Sequence, residues 1–217
     1  MVSILEKATD LFAARGFEAS IMDEVAEAAA CTRRTLYRYF PTKDELFWRC
    51  FGRAVGLVLE RQRLTARACV TARLRARDYL AAWAGAYLDF AVERPAEFRL
   101  VMEGRERAST AGASGLPLTD ATLGWLIAFQ GDVKEGVSLL GRLIEEEGGC
   151  SAGEGAAHAG SFLVVLLATV EFHSRYREVG IPFSSDEVRS LRNFLCGLAR
   201  SFDFASTPEI SGAKEQA

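Results

Sequence analysis

With 217 residues, 49% of them hydrophobic and 25% charged, the chain has enough apolar material to bury a core and too much to stay disordered. Its 26 Lys and Arg against 29 Asp and Glu leave a formal charge of −3, which excludes a surface that binds nucleic acid all over, so any such contact has to be local. Five cysteines, at 31, 50, 69, 150 and 196, form no CxxC and no Cys/His grouping with zinc-ligand spacing; reduced thiols are expected, with no metal and no other cofactor. The longest uncharged apolar run, Ala159 to Val170, has 12 residues, short of the roughly 18 to 20 that cross a bilayer. The N-terminus carries acids at once, unlike a basic-then-apolar leader, so a cytoplasmic protein without a membrane partner is expected.

The period of the apolar residues is helical from end to end, and the expected fold is all-α with about nine helices. Ile4, Ala8, Leu11 and Phe12 mark a first helix that Gly16 should end. Met22, Val25, Ala26 and Ala29 mark a second, with Ser20 and Asp23 as its N-terminal capping pattern. A third, short helix starts at Thr32, buries Leu36 and Phe40, and stops at Pro41, which lacks the amide needed to continue. Thr42 and Glu45 then read as a capping box opening a longer helix through Leu46, Phe47, Cys50, Phe51, Ala54, Val55 and Val58. Leu80, Trp83, Ala84, Tyr87, Leu88 and Ala91 lie on one stripe that runs until Pro95. The small-residue stretch from Ala108 to Thr119 reads as a mobile loop. Helices around 121–147, 152–178 and 185–203 complete the body, the last opened by Ser184 and Glu187.

The stretch that carries function is Ser20 to Leu46. Two short helices meet there at a tight connection, Ala29 to Cys31, as in a helix-turn-helix, whose second helix enters the major groove. On that helix Leu36 and Phe40 face the core, while Arg33, Arg34, Tyr37 and Arg38 project away. Residues 32 to 43 carry four basic side chains and no acid, although residues 1 to 53 carry eight of each. Guanidinium groups in the first turn suit guanine O6 and N7; hydroxyls and a lysine at the next helix start suit phosphate oxygens. A basic face that meets only solvent is the alternative.

These residues resemble the DNA-binding segment of the TetR-type transcriptional regulators, matching its pattern at Ser20, Val25, Ala26, Ala29, Thr32, Thr35, Leu36, Tyr37, Tyr39, Phe40, Thr42, Lys43 and Leu46. Ala30 stands where that family has its turn glycine, and Cys31 where it has a branched apolar residue. The resemblance is close over residues 3 to about 50. It implies a homodimeric repressor that binds a palindromic operator on double-stranded DNA and is released by a small, largely apolar effector. By matched position it assigns Thr35, Tyr37, Tyr39 and Lys43, with Thr32, to phosphates, and Arg33, Arg34 and Arg38 to bases. It also implies a bacterial cytoplasmic protein associated with the nucleoid. An adaptor or architectural protein of the same fold, holding a protein partner in place of a small ligand, is the competing reading. If each of two heads neutralises roughly three or four phosphates, the logarithmic salt slope of binding is about −5 to −7.

The expected organisation is a helix-turn-helix head over residues 1–48, a helical effector-binding and dimerisation body over 49–205, and a disordered tail over 206–217. Val188, Leu191, Leu195, Leu198 and Phe202 alternate spacings of three and four, the seam of two helices side by side, within one chain or between two copies. Phe162 and Leu166 continue the pattern on the preceding helix, and the resemblance favours a dimer interface. The aromatics of the central helices form either plain core or an effector cavity; the candidates are Trp83, Tyr87, Phe90, Met102, Trp125, Phe129, Phe162, Leu166 and His173, with Glu171 or His173 as a polar anchor. Six arginines between 61 and 77 offer a partner for an anionic effector. No ExxH pair of the di-iron type, HExxH, GxSxG or phosphate-binding glycine loop is present, and the two histidines, His158 and His173, give acid–base chemistry little to work with. No enzymatic activity is expected.

Overall fold

The computed structural model describes residues 2–114, 120–147, 150–151, 153–175 and 184–201, with some side chains inside these ranges left undescribed, among them those of 125, 129, 172 and 173. Within them the elements are α1 (Val2–Ala19), α2 (Met22–Ala28), α3 (Arg33–Tyr39), α4 (Lys43–Thr71), α5 (Ala76–Glu93), α6 (Pro95–Ser114), α7 (Asp120–Glu146), α8 (Gly155–Arg175) and α9 (Ser185–Ser201). No strand occurs among the described residues.

The head folds as its periodicity demands. Ile4, Ala8 and Phe12 of α1 are buried with Met22, Val25 and Ala26 of α2, Leu36 of α3 and Phe40. Gly16 breaks the regular helix with φ 76° and ψ 169°, a backbone open to glycine and costly for other residues. The expected cap at Ser20 is corrected by the structure: α2 is preceded by Ile21 and has no side-chain cap. The Ser20 hydroxyl instead donates to the Gly16 carbonyl at 2.7 Å, because it meets the frayed end of α1 before it meets α2. The other two caps form. Thr42 Oγ1 accepts from the Glu45 amide at 3.1 Å. At α9, Ser184 and Glu187 each accept from the other's amide, at 3.2 and 2.8 Å, satisfying two orphan donors at once.

Helix α4 runs for 29 residues, about 43 Å at 1.5 Å per residue, and residue 48 lies inside it, so head and body share it. An aromatic series cements the junction. Phe12 and Phe17 of α1 meet the edge of Phe47, and Phe47, Trp48 and Phe51 of α4 follow edge to face, with centroids 5.2–5.4 Å apart. Helix α6 closes on the same ring series through Gly104, where a Cβ would stand 2.2 Å from the Phe51 ring; only a glycine permits that approach. In the body, α8 packs along α7 and α9 along α5, while α5 also packs on α4.

One expectation changes here. Residues 108–114 are helical and belong to α6, since alanine and serine in that stretch serve a helix as readily as a loop; the remainder of the proposed loop, residues 115–119, lies outside the described residues. The proposed 206–217 tail and Phe202 also lie outside them. No helix among the described residues is long and apolar enough to cross a membrane.

Candidate nucleic-acid interface and effector cavity

The connection between α2 and α3 is tight because Ala30 takes a left-handed φ of 50°. This lets the Cys31 amide reach the Ala26 carbonyl at 2.9 Å. Thr32 caps α3, accepting from the Thr35 amide at 3.1 Å while the two hydroxyls lie 2.9 Å apart. With Leu36 fully buried, the helical period turns Arg33, Arg34, Tyr37 and Arg38 outward, and Tyr39 is exposed beside them. Thr35 is half-buried.

Their partners differ. Arg33 pairs with Asp23 of α2, Nε to Oδ1 at 2.6 Å. Arg38 lies 4.9 Å from the Tyr39 ring centroid and donates to its hydroxyl at 3.1 Å. Arg34 has no acidic partner among the described residues. Lys43 takes a position the sequence did not suggest. Its ammonium donates to the carbonyls of Phe17, Glu18 and Ser20 at 2.9, 3.2 and 3.2 Å and sits 4.3 Å from the Phe17 ring centroid. All three of its donors are thereby occupied on the C-terminal end of α1, where a cation favours the helix dipole.

Sequence reasoning missed the residues that hold this head to the body. Glu103 of α6 accepts from the Phe17 amide at 2.7 Å. Arg107 lies 3.7 Å from the Phe17 ring centroid and pairs with Glu18 at 3.2 Å and Asp44 at 3.4 Å. Contacts this distant in the chain leave no periodic trace.

The body contains a cavity of about 520 Å³ bounded by α4, α5, α7 and α8. Of the nine nominated effector residues, Trp83, Tyr87 and Leu166 line it. Phe90, Met102 and Phe162 are buried but do not line this cavity: one stripe on a helix serves both cavity and solid core, and spacing does not separate them. The side chains of Trp125, Phe129 and His173 lie outside the described residues. Much of the wall comes instead from α4, through Val58, Leu59, Ala66 and Val70, and the apolar stripe continuing past Val58 was the available signal. Gln62 lines the cavity with a buried Oε1 that has no hydrogen-bond partner, and Arg63 and Arg67 stand exposed on its rim. Burial pushes the Tyr79 hydroxyl up to about 12. It pushes Tyr87 up as well, with the Glu171 carboxylate adding to the effect. Glu171 itself is tied to Arg105 at 2.5 Å.

The residues expected at the dimer seam already pack within the single chain. Leu191 and Leu195 are buried within the single chain, as are Phe162 and Leu166; Val188 and Leu198 are half-buried against the same core. That stripe packs α9 onto α5, aided by an ion pair between Arg192 and Asp89. The spacing reported a packed helix and said nothing of which chain supplied the partner. Among the described side chains of these helices, the large apolar residues left exposed are Val164 (66%), Val165 (43%) and Phe194 (56%).

A buried-faced α2, a tight turn and a basic α3, mounted on a helical body that encloses a cavity, define a helix-turn-helix protein with a separate helical body. Residues 4–50 match the family model described as bacterial regulatory proteins, tetR family. The head thus matches the TetR family in sequence, and the chain as a whole is similar to TetR-like regulators in fold. Among curated relatives it is 43% identical over 49 residues to the putative mycofactocin biosynthesis transcriptional regulator MftR of Mycobacterium tuberculosis, covering 23% of this chain and 25% of that protein. It is 31% identical over 100 residues to the HTH-type transcriptional activator FasR of Mycolicibacterium smegmatis, covering 46% and 44%. The chain thus spans a quarter to under half of these relatives' lengths. Among solved structures, the TetR family regulator PfmR of Thermus thermophilus superposes with a TM-score of 0.67 at 18% identity, covering 90% of this chain and 96% of PfmR. AibR, solved with isovaleryl coenzyme A and operator DNA, gives 0.63 at 16%, covering 91% and 96%.

Proposed function

We propose that the protein is a homodimeric DNA-binding transcriptional regulator whose two heads read a palindromic operator and whose body cavity takes an amphiphilic effector. The observation that carries the DNA reading is α3: a short helix buried on one side by Leu36 and presenting Arg33, Arg34, Tyr37 and Arg38 on the other, with no acid among residues 32–43. Arg34 and Arg38 are the base readers, and Arg33 joins them by exchanging Asp23 for DNA. Thr32, Thr35, Tyr37 and Tyr39 meet phosphates, and Lys43 acts by fixing the end of α1 against the start of α4. The test is binding to operator fragments selected from random duplex DNA. Arg34→Ala should weaken specific binding by about 1–3 kcal/mol per head, and the three guanidinium groups on each of two heads, lying against the phosphate-lined groove, give the parent protein a logarithmic salt slope of about −5. A slope near zero, or unchanged binding by Arg34→Ala, would overturn the assignment.

An open cavity favours a small ligand over a protein partner, which a solidly packed body would suit better. Its volume falls in the range of drug-sized sites; its walls are largely apolar, Gln62 offers a buried acceptor, and Arg63 and Arg67 outnumber Glu135 among the charged lining residues. An acyl chain inside with an anionic carrier at the rim satisfies all three features, and AibR holds a ligand of that class. Acyl-coenzyme A thioesters of graded chain length should raise the melting temperature of the parent protein. Arg67→Glu should weaken that response about tenfold or more through charge reversal at the rim; equal responses from both proteins would sink the proposal.

A further inference from the structure

We propose that the turn between α7 and α8 is a binding site for a divalent transition-metal ion of the zinc class, with Cys150, Glu154 and His158 as ligands. One ligand atom from each lies within 4.8 Å of the others, and all three residues are half-buried. Thiolate, carboxylate and imidazole together are a donor set for zinc, whereas magnesium and calcium take oxygen alone. Tetrahedral ligands about 2.0–2.3 Å from the ion stand about 3.3–3.8 Å apart, so closing on it asks for side-chain movement of about 1 Å. Three protein donors leave the fourth position to water.

The backbone brings these residues together. Glu154 and His158 are one turn apart, the His158 amide donating to the Glu154 carbonyl at 3.2 Å, so their side chains share a helix face. The Glu154 amide donates to the Ser151 carbonyl at 3.1 Å, and the Ser151 amide to Glu154 Oε2 at 3.1 Å. That reciprocal pair folds Cys150 back across the start of α8 and leaves Glu154 Oε1 for the ion. The α7–α8 approach is fixed by a glycine contact, where a Cβ on Gly155 would lie 2.1 Å from the Gly141 oxygen.

Electrostatics favour a cation. Glu145, Glu146, Glu147 and Glu154 crowd the turn, and no Lys or Arg occurs between Arg142 and Arg175. No ion pair among the described residues engages Glu145 or Glu154. The positive N-terminal end of α8 would oppose a cation, but Glu145 Oε1 already accepts from the Gly153 and Gly155 amides, both at 3.0 Å. The pattern escaped the cysteine count because its spacing is that of a helix face, Cys-x3-Glu-x3-His, with a carboxylate between the softer donors. Bound there, the ion would fasten Cys150 of the turn to the first turn of α8.

The test uses the full chain, reduced and stripped with chelator, titrated with Co²⁺ and then Zn²⁺. The expected result is about one Co²⁺ per chain, a near-ultraviolet thiolate-to-cobalt band, tetrahedral d–d absorption, displacement by Zn²⁺ and a higher melting temperature. Cys150→Ser should remove the thiolate band, and His158→Gln and Glu154→Gln should each weaken binding by more than about tenfold. Cys31→Ser, in the head, should change nothing. Far-UV circular dichroism establishes that each variant is folded, and His158→Gln carries the test should Cys150→Ser not fold. Absence of stoichiometric Co²⁺ binding, a band that survives Cys150→Ser in a folded protein, or affinity indifferent to His158→Gln would each overturn the proposal.

Discussion

Cys50 lies at the seam of α1 and α4, its thiol 3.5 Å from the Leu5 carbonyl to which it donates. Burial pushes its pKa from 9.0 up to about 12, against smaller lowering effects from Thr9 and Arg53. A group raised in the folded state holds its proton there longer than in the unfolded chain, so its contribution to stability is complete below pH 9 and declines as pH rises towards 12. Between pH 9 and 10 the loss approaches about 1.4 kcal/mol per pH unit; above 10, Tyr79, raised to about 12, adds to it. Urea unfolding from pH 7 to 10 should show stability falling only above about pH 9, and Cys50→Ala should lessen the fall between 9 and 10, of which Cys69, also raised from 9.0 by burial, keeps a part. Side chains of this kind were partly legible in the sequence: the apolar period placed Cys50 inside. The roles of Lys43 and Arg107 were not legible, because each depends on carbonyls or rings that arrive from elsewhere in the chain.

At the scale of elements, α6 is the strut between head and body. Its Glu103 holds the Phe17 amide, its Gly104 admits the Phe51 ring, and its Arg107 stacks on Phe17 between Glu18 and Asp44. Truncating Arg107 removes a stacked guanidinium and its aliphatic stem as well as two ion pairs that are partly exposed and individually weak. Arg107→Ala should therefore cost about 1–2 kcal/mol and speed amide hydrogen exchange at the end of α1 and the start of α4, leaving exchange in α9 unchanged. Arg107→Lys should recover little, since an ammonium lacks the planar face that stacks on a ring. Uniform exchange changes across the chain would contradict the strut. Most of the helices were legible from period and capping residues, including both reciprocal bonds at Ser184 and Glu187. The second half of α6 was read as loop because its small residues carry no apolar stripe to follow.

For the whole molecule, the two outer helices carry the question of how one chain becomes two heads on DNA. The sequence pattern drew a seam through Leu191 and Leu195, but a stripe of spacing three and four is equally the signature of a helix packed on its own chain. Leu195 is 1% exposed and Phe194, its neighbour, 56%. On α8 the exposed Val164 and Val165 stand beside a turn of small residues, including Gly160, around which a Cβ would meet nothing within 4 Å. The exposed apolar side chains of α8 and α9 are the surface expected to meet a second copy, and two-fold symmetry would set the two α3 helices against successive major grooves about 34–36 Å apart. Substitutions at adjacent positions therefore separate core from interface. Phe194→Glu should leave the fold and melting curve of the chain nearly intact while shifting the solution mass from twice 23.7 kDa to the single chain, and operator affinity should fall with it because only one head binds at a time. Leu195→Glu should do the reverse, burying a carboxylate without a partner in the α5–α9 packing and destabilising the chain by about 3 kcal/mol or more at any concentration. A Phe194→Glu protein that remains dimeric by light scattering would move the interface off this face.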